Sequence, residues 1–388
     1  MDSDEIKKTL DENVMHTYGR YDLVIDHAHG SRVYDKDGRC YIDCVAGIAV
    51  NNIGHTHEKL TEALTKQLNK MIHVSNLYYT EEQAVFAKRF VDVSPHDKVF
   101  FANSGAGANE AAIKLARKYT GKGEIIAMNN SFHGRTLATI TATGQPKYQK
   151  GFEPLPAGFK HVDYNDIDQV KQAITDDTAA ILVEPIQGES GVRVPDKDYL
   201  CNLRKICDEK GILLIFDEVQ TGFGRTGKMF ASEISGVVPD ITTCAKAIAG
   251  GLPMGAMLTS DKIAEVFTPG THATTFGGSP LVCRAACTVL DIYDDEDLVN
   301  KSCENGSYFK QKLEELKKCH DCIVEVRGHG LMVGVELNYD CGDLVSKAQD
   351  KGVLINVANG RVLRFVPPLI ITRDELDKVV SVIDEILP

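Results

Sequence analysis

The sequence predicts an α/β protein with a mostly parallel central sheet and a smaller α+β domain built from both chain ends. Three observations carry this. Short apolar runs alternate with helical stretches through the middle of the chain, the C-terminal quarter holds strands and helices of its own, and a separate hairpin lies near the N-terminus. Strand, helix, strand in succession calls for parallel strands joined by crossover helices that cover the sheet. The 388 residues exceed one typical domain of about 150 and are enough to bury a sizeable core.

From the N-terminus, Gly30–Asp43 reads as a hairpin, with Gly38 in an Asp-Gly turn. Lys98–Phe101, Glu124–Met128, Ala179–Val183, Gly211–Phe216 and Ala256–Thr259 are short apolar runs and read as buried strands. Asn109–Tyr119 lies between the first two with helical spacing, Asn103 or Ser104 available to cap it and Gly121 to stop it. Further on, a polar helix around Asn305–Lys318 precedes strand-like Leu331–Leu337, Val353–Asn356 and Val362–Val366. The chain ends in a helix. Thr372 and Glu375 form a capping box, and Leu376, Val379, Val380, Ile383 and Ile386 recur at helical spacing. The expected division is an N-terminal segment 1–45 belonging to the small domain, a large domain 46–280, and a C-terminal small domain 281–388.

Composition narrows the class of function. Hydrophobic residues make up 43% and charged residues 25%, as in ordinary globular chains. The 43 Lys and Arg against 55 Asp and Glu leave a net charge of −12, which argues against nucleic acid as a partner. No apolar run approaches the roughly 18 residues of a membrane span, and Met1–Asp11 is too polar for a signal peptide, so a cytosolic location is expected. The 11 cysteines are scattered and odd in number, which reads as reduced thiols. Cys319 and Cys322 form the one CxxC but lack a second pair at zinc spacing, and His55 and His57 lack a third ligand, so no metal is expected.

Three places could carry chemistry. Asp217 and Glu218 directly follow an apolar strand, where ligand crevices form in parallel sheets. Asn103-Ser-Gly-Ala-Gly-Ala108 runs from another strand into a helix, whose free N–H groups can hold a phosphate; the plainer alternative is an N-cap. Lys246 sits in an apolar segment ahead of Gly250 and Gly251, and an ammonium there is costly without a function or partner. A phosphate cradle, a buried acid and a buried lysine are together what a pyridoxal phosphate enzyme requires. The rival is a nicotinamide dehydrogenase, because Gly222-Phe-Gly224-Arg-Thr-Gly227 is a literal GxGxxG. That fingerprint should open at a strand end and lead into a helix with an acid about 20 residues on, whereas here Asp217–Thr221 intervene and no such acid follows.

Over nearly its whole length the chain resembles the class III (subgroup II) pyridoxal phosphate aminotransferases. The resemblance rests on Asp43–His57, Asn103–Arg117, Ser131–Thr136, Glu184–Glu189, Asp217–Gly227, Lys246–Pro253, Thr274–Gly278 and Arg364–Pro368, matched in order. It implies the type I fold of these enzymes, with a seven-stranded sheet in the large domain, and a homodimer with shared active sites. Lys246 would be the Schiff-base lysine and the proton-transferring base, Asp217 the partner of the pyridinium nitrogen, and Gln220 a hydrogen-bond partner of the ring's phenolic oxygen. Phe132 would stack on the ring. Ser104, Gly105 and Ala106 would hold the phosphate, Glu218 and Val219 would border the cofactor, and Thr275 would reach the phosphate of the neighbouring subunit.

For the substrates, the resemblance implies that Arg135 holds the distal carboxylate and Arg364 the α-carboxylate of glutamate or 2-oxoglutarate. Glu189 would pair with Arg364 when an ω-amino substrate is bound, and Thr274 would contact the amine donor from the adjacent subunit. The implied reaction moves the δ-amino group of N2-acetylornithine to 2-oxoglutarate; ornithine, 4-aminobutyrate, acetyllysine and succinyl-diaminopimelate are alternative donors. Gly107, Asp22, Ala273, Thr274 and Ser279 depart from the common family pattern, and none of them removes a catalytic group.

Overall fold

The computed structural model describes residues 1–388. After a short helix, Ser3–Asn13, come β1 (Ile25–His29), β2 (Arg32–Asp35) and β3 (Cys40–Asp43). β2 and β3 are the expected hairpin, antiparallel through Val33 opposite Tyr41. The large sheet uses β4 (Lys98–Ala102), β5 (Glu124–Met128), β6 (Phe159–Val162), β7 (Thr178–Val183), β8 (Leu213–Asp217), β9 (Ile241–Cys244) and β10 (Gly255–Thr259). These seven strands lie in the order β4-β10-β9-β8-β7-β5-β6. Neighbours from β9 through β8, β7 and β5 to β6 are parallel, whereas β10 runs antiparallel to both β9 and β4.

Burial explains which strands were legible. β7 and β8 are buried along their whole length, so both faces demand apolar residues and the run is continuous. β6 is a half-exposed edge strand, Phe-Lys-His-Val, and carries no apolar run. β9 is Ile-Thr-Thr-Cys, where β-branched side chains stand in for greasy ones. Successive residues of the sheet face opposite ways. Ile126, Ile181, Val183, Leu214 and Phe216 join one core layer with Leu203 and Ile206. Ile125, Ala180, Leu182, Leu213 and Ile215 join another with Ala112 and Leu115. Ala112 and Leu115 belong to the helix Gly105–Thr120, whose cap is Ser104: its hydroxyl accepts the Gly107 N–H at 3.1 Å. Such a cap contributes about 1 kcal/mol.

The C-terminal region holds the helix Leu298–Lys317, then β11 (Ile323–His329), β12 (Met332–Leu337), β13 (Val353–Leu354), β14 (Asn356–Ala358) and β15 (Val362–Phe365), and closes with the helix Arg373–Ile386. The expected single strand Val353–Asn356 is in fact two. β13 pairs parallel with β3, and after Ile355 the chain crosses to β14, which pairs antiparallel with β15. Two four-stranded sheets result, β1-β2-β3-β13 and β11-β12-β15-β14, the first drawing on both chain ends. Ser31 and Arg32 donate to Glu375 at 2.7 and 2.9 Å and tie those ends together. The Thr372–Glu375 capping box forms as expected.

The remaining sequence signals resolve simply. His55 bonds Asp43 at 2.8 Å and His57 bonds Glu296 at 2.7 Å, so each of the two histidines has its own acid. All 11 cysteines are unpaired. No helix is long and apolar enough to cross a membrane.

Candidate active site

β4, β5, β7, β8 and β9 all point their carboxyl ends at one edge of the sheet, and a cavity of about 430 Å³ lies beyond that edge. Each strand end delivers a group to it: Ser104 after β4, Phe132 and His133 after β5, Glu184 after β7, Asp217 on β8, and Lys246 after β9.

Asp217 is 3% exposed and accepts three hydrogen bonds, which leaves one of its roughly four acceptor sites free. Its Oδ2 accepts from Asn109 Nδ2 and His133 Nδ1, each at 2.7 Å, and its Oδ1 accepts the Val219 N–H at 3.0 Å. Asn109 is held in turn by Thr243, whose hydroxyl donates to Oδ1 at 2.7 Å, and by its own donation to the His133 carbonyl at 2.8 Å. A carboxylate can only accept, so His133 Nδ1 is the donor in this contact. His133 Nε2 is buried with no partner.

Lys246 opens a short 3₁₀ turn with φ +52, in the left-handed region that a lysine rarely adopts. Burial lowers its pKa, opposed by the negative charge of Glu189 and reinforced by Arg364. Glu189 bonds Arg364 at 2.7 Å and receives a long contact of 3.5 Å from Gln220 Nε2. Burial works to raise the Glu189 pKa, but Arg364 and Lys246 outweigh it and the net shift is downward. Gln220 Oε1 is buried and has no partner. A side chain at Gly188 would place its Cβ 2.2 Å from that oxygen, so the glycine is what admits Gln220.

At the phosphate end, the amides of Gly105 and Ala106 are first in their helix and have no carbonyl a turn earlier to bond. A Cβ on Gly105 would come within 2.8 Å of Val219, so a glycine is needed for this close approach of helix and loop. A helix N-terminus for a phosphate, a buried carboxylate for a ring nitrogen, a Gln220 Nε2 held only by a 3.5 Å contact to Glu189, and a lysine together fit pyridoxal phosphate.

Of the predicted residues, Lys246, Asp217, Ser104, Gly105, Ala106, Phe132, Val219, Gln220, Arg135 and Glu189 line this cavity. Arg135 is exposed, with its guanidinium 3.8 Å from the Tyr148 ring centre and 5.3 Å from that of Phe132. Arg364 is 2% exposed, bonded to Glu189 and, through Nε, to Asn356 at 3.1 Å, so it reaches the cavity by way of Glu189. Thr274 and Thr275 line a different cavity of about 940 Å³. Thr274 accepts from Asn103 Nδ2 at 2.9 Å, which connects that surface to the phosphate end.

Glu218 corrects an expectation. Its carboxylate turns away from the cavity and accepts the N–H groups of Ala231 at 2.6 Å and Ser232 at 2.9 Å, with the Thr221 hydroxyl at 3.3 Å. It anchors the loop behind the site and is not among the residues lining the cavity. Burial pushes its pKa up from 4.5 to about 7. A carboxyl raised in the folded state loses stability as pH climbs from the unfolded value through the folded one. Glu218→Gln should therefore gain on the wild type in thermal unfolding between pH about 4.5 and about 7, by on the order of 3 kcal/mol, and hold that gap above it. A flat difference across this window would show that Glu218 is ionised throughout.

Asn109, His133 and Glu184 were missed. Glu184 follows β7 as Asp217 follows β8, and burial lifts its pKa to about 7 while it accepts the Phe132 N–H at 2.9 Å. Asn109 is the lone polar residue among the buried alanines and aliphatics of its helix, which is a usable signal. His133 carries none beyond its place in the loop. The GxGxxG stretch leads into no helix, as anticipated.

Comparison with known proteins agrees with this geometry. The family described as aminotransferase class-III matches residues 14–387. Acetylornithine aminotransferase of Methanothermobacter thermautotrophicus is 51% identical over 387 residues, covering 100% of this chain and 99% of the relative. That of Methanocaldococcus jannaschii is 52% identical over 375 residues, covering 95% of this chain and 94% of the relative. Among solved structures, ornithine aminotransferase from Toxoplasma gondii superposes with a TM-score of 0.96 at 32% identity, over 99% of this chain and 94% of that one. Acetylornithine aminotransferase from Elizabethkingia anophelis gives 0.89 at 32% identity, over 99% and 98%. With matched sequence from end to end and the lysine, acid and phosphate cradle at one sheet edge, this chain belongs to the class-III aminotransferases.

Proposed function

We propose that the protein transfers the δ-amino group of N2-acetylornithine to 2-oxoglutarate, giving N-acetylglutamate 5-semialdehyde and glutamate, in arginine synthesis. The relatives at about half identity over full length support this donor. The observation that carries the chemistry is the Glu189–Arg364 pair at 2.7 Å beside Lys246. Pyridoxal phosphate, when bound, supplies a ring that withdraws electrons and acidifies the substrate carbon that bears nitrogen.

The chain's own residues do the rest. Lys246 Nζ, its pKa lowered by burial, takes the proton from that carbon and would deliver it to the cofactor carbon that keeps the nitrogen. Asp217, locked by three donors, is the carboxylate that would face the ring nitrogen. Arg135 offers a planar guanidinium to the carboxylate at the substrate's distal end. An ω-amine donor has no carboxylate next to its reacting amine, and Glu189 then neutralises Arg364. The α-carboxylate of 2-oxoglutarate takes the place of Glu189, and both oxygens engage the guanidinium.

Glu189→Ala should lower kcat/KM for N2-acetylornithine by about 10- to 100-fold, the effect of a buried guanidinium left unpaired against a methylene chain. Steady-state kinetics with glutamate as donor should change far less, and equal losses for both would remove the gating role. The same proposal includes a homodimer, with Thr274 and Thr275 directed to the neighbouring subunit's site, and a cytoplasmic location. It also divides the chain at 45/46 and 280/281. The decisive experiment is a visible spectrum of protein purified with pyridoxal phosphate. N2-acetylornithine should bleach the visible band and 2-oxoglutarate restore it. A band bleached only by ornithine or 4-aminobutyrate would keep the mechanism and replace the donor.

A further inference from the structure

The GxGxxG stretch leads into no helix, yet its Arg225 is the largest fully buried side chain in the protein. Its guanidinium faces no carboxylate. Nη1 donates to the carbonyls of Leu331 at 2.8 Å and Pro367 at 2.6 Å, Nη2 donates to Asn52 Oδ1, and Nε has no partner. Burial pushes its pKa down to about 10. A buried cation held only by neutral oxygens is a costly way to fill a core, and an apolar residue of similar volume would serve packing better.

What those oxygens have in common is position. β12 and β15 are antiparallel neighbours, with Val333 opposite Phe365 and Gly334 opposite Arg364. Leu331 directly precedes β12 and Pro367 lies two residues past the end of β15, so Nη1 clamps the adjacent ends of the two strands. The backbone of Arg225 doubles the clamp: its carbonyl accepts the Leu331 N–H at 3.0 Å and the Ser302 hydroxyl at 3.2 Å. Asn52 ties the same hub to the large domain. Its Nδ2 donates to the Phe223 carbonyl at 2.9 Å, and its own carbonyl accepts the Leu369 N–H at 2.7 Å. Arg225 stands in the loop that starts at Asp217 and Gln220, while Arg364 stands in β15 three residues before Pro367.

We propose that Arg225 is a positioning residue for substrate specificity: it fixes the strand end that carries Arg364 against the loop that carries Asp217 and Gln220, and so sets where the α-carboxylate of the dicarboxylate substrate is held. This rests on the reading of Arg364 as the carboxylate-binding group. The two substrates separate the role from a structural one. N2-acetylornithine does not use Arg364 as a partner, whereas 2-oxoglutarate does.

The test measures KM for each substrate in Arg225→Lys and in the milder Asn52→Ala, at concentrations set by the absorbance of bound cofactor. A second readout needs no turnover: calorimetric binding of glutarate, an unreactive five-carbon dicarboxylate, to the holoenzyme. In both variants KM for 2-oxoglutarate and Kd for glutarate should rise about tenfold or more, a typical cost of displacing a charged partner. KM for N2-acetylornithine should stay within about twofold, because no contact to it has moved. Arg364→Ala is the control. If Arg364→Ala binds glutarate as the wild type does, the carboxylate reading fails and the inference with it. If Arg364→Ala loses glutarate but Arg225→Lys and Asn52→Ala keep it, or shift both substrates in proportion, the inference alone is overturned.

Discussion

Lys246→Ala lowers transamination by about ten-thousandfold, the upper range for loss of a positioned proton-transfer group. The fold should survive the change. Nζ makes no hydrogen bond or ion pair, and burial disfavours its charge, so the alanine relieves a desolvation cost rather than breaking a network. The left-handed φ of +52 remains at position 246, and alanine tolerates it no worse than lysine. Three measurements check this: steady-state kcat, the visible spectrum after pyridoxal phosphate is added, and the unfolding temperature of the protein without cofactor. Turnover lost, visible band altered and unfolding temperature held is the expected pattern. Turnover close to wild type would mean that another base moves the proton, and Lys246 would lose its assignment.

Asp217→Asn should cost about 100- to 1,000-fold in kcat, the scale found when one preorganised electrostatic group is removed from an active site. The replacement is nearly isosteric, but the amide carries no charge and has one oxygen where Asp217 has two. Asn109 Nδ2 and His133 Nδ1 both donate to Oδ2, and the Val219 N–H donates to Oδ1. In the variant the amide nitrogen must face at least one of these donors. Buried donors left unpaired cost about 1–3 kcal/mol, so the variant should also hold pyridoxal phosphate more weakly. Equilibrium dialysis of the cofactor and kcat together separate the two losses. An Asp217→Asn protein with wild-type kcat at saturating cofactor would show that the charge at this position does no catalytic work.

The two variants differ in a way that the sequence alone already framed. An apolar run ending in Asp217, and a lysine in the apolar segment before Gly250, announce themselves because a charged group in such company needs a purpose. Ser104 as cap and Gly121 as stop were equally legible, since both obey local hydrogen-bond rules that do not depend on the rest of the chain. The motif blocks identified the family because many short matches in order are specific even when each is not.

Other features carry no local signature. β6 and β9 escaped because one is an edge strand and the other is packed through threonines, and both conditions are set by neighbours far away in sequence. The run Val353–Asn356 looks like one strand, and only the placement of β3 and β15 divides it between two sheets. Glu218 stands next to Asp217 and shares its sequence environment, yet alternation along the chain sends it to the backbone amides of Ala231 and Ser232.

By itself, then, the sequence determined the α/β class, the family, and the lysine, acid and helix-opening glycine loop that meet at one edge of the sheet. These are properties of single segments, governed by hydrophobic periodicity, capping and the cost of burying charge. Tertiary structure alone decided that His133 and Asn109 converge on Asp217 from 84 and 108 residues away. It decided equally that Glu189 meets Arg364 across 175 residues, and that Arg225 joins strands more than 100 residues distant from it. Such contacts depend on sheet order and domain docking, which are fixed by the sum of many buried surfaces and written in no one stretch of chain.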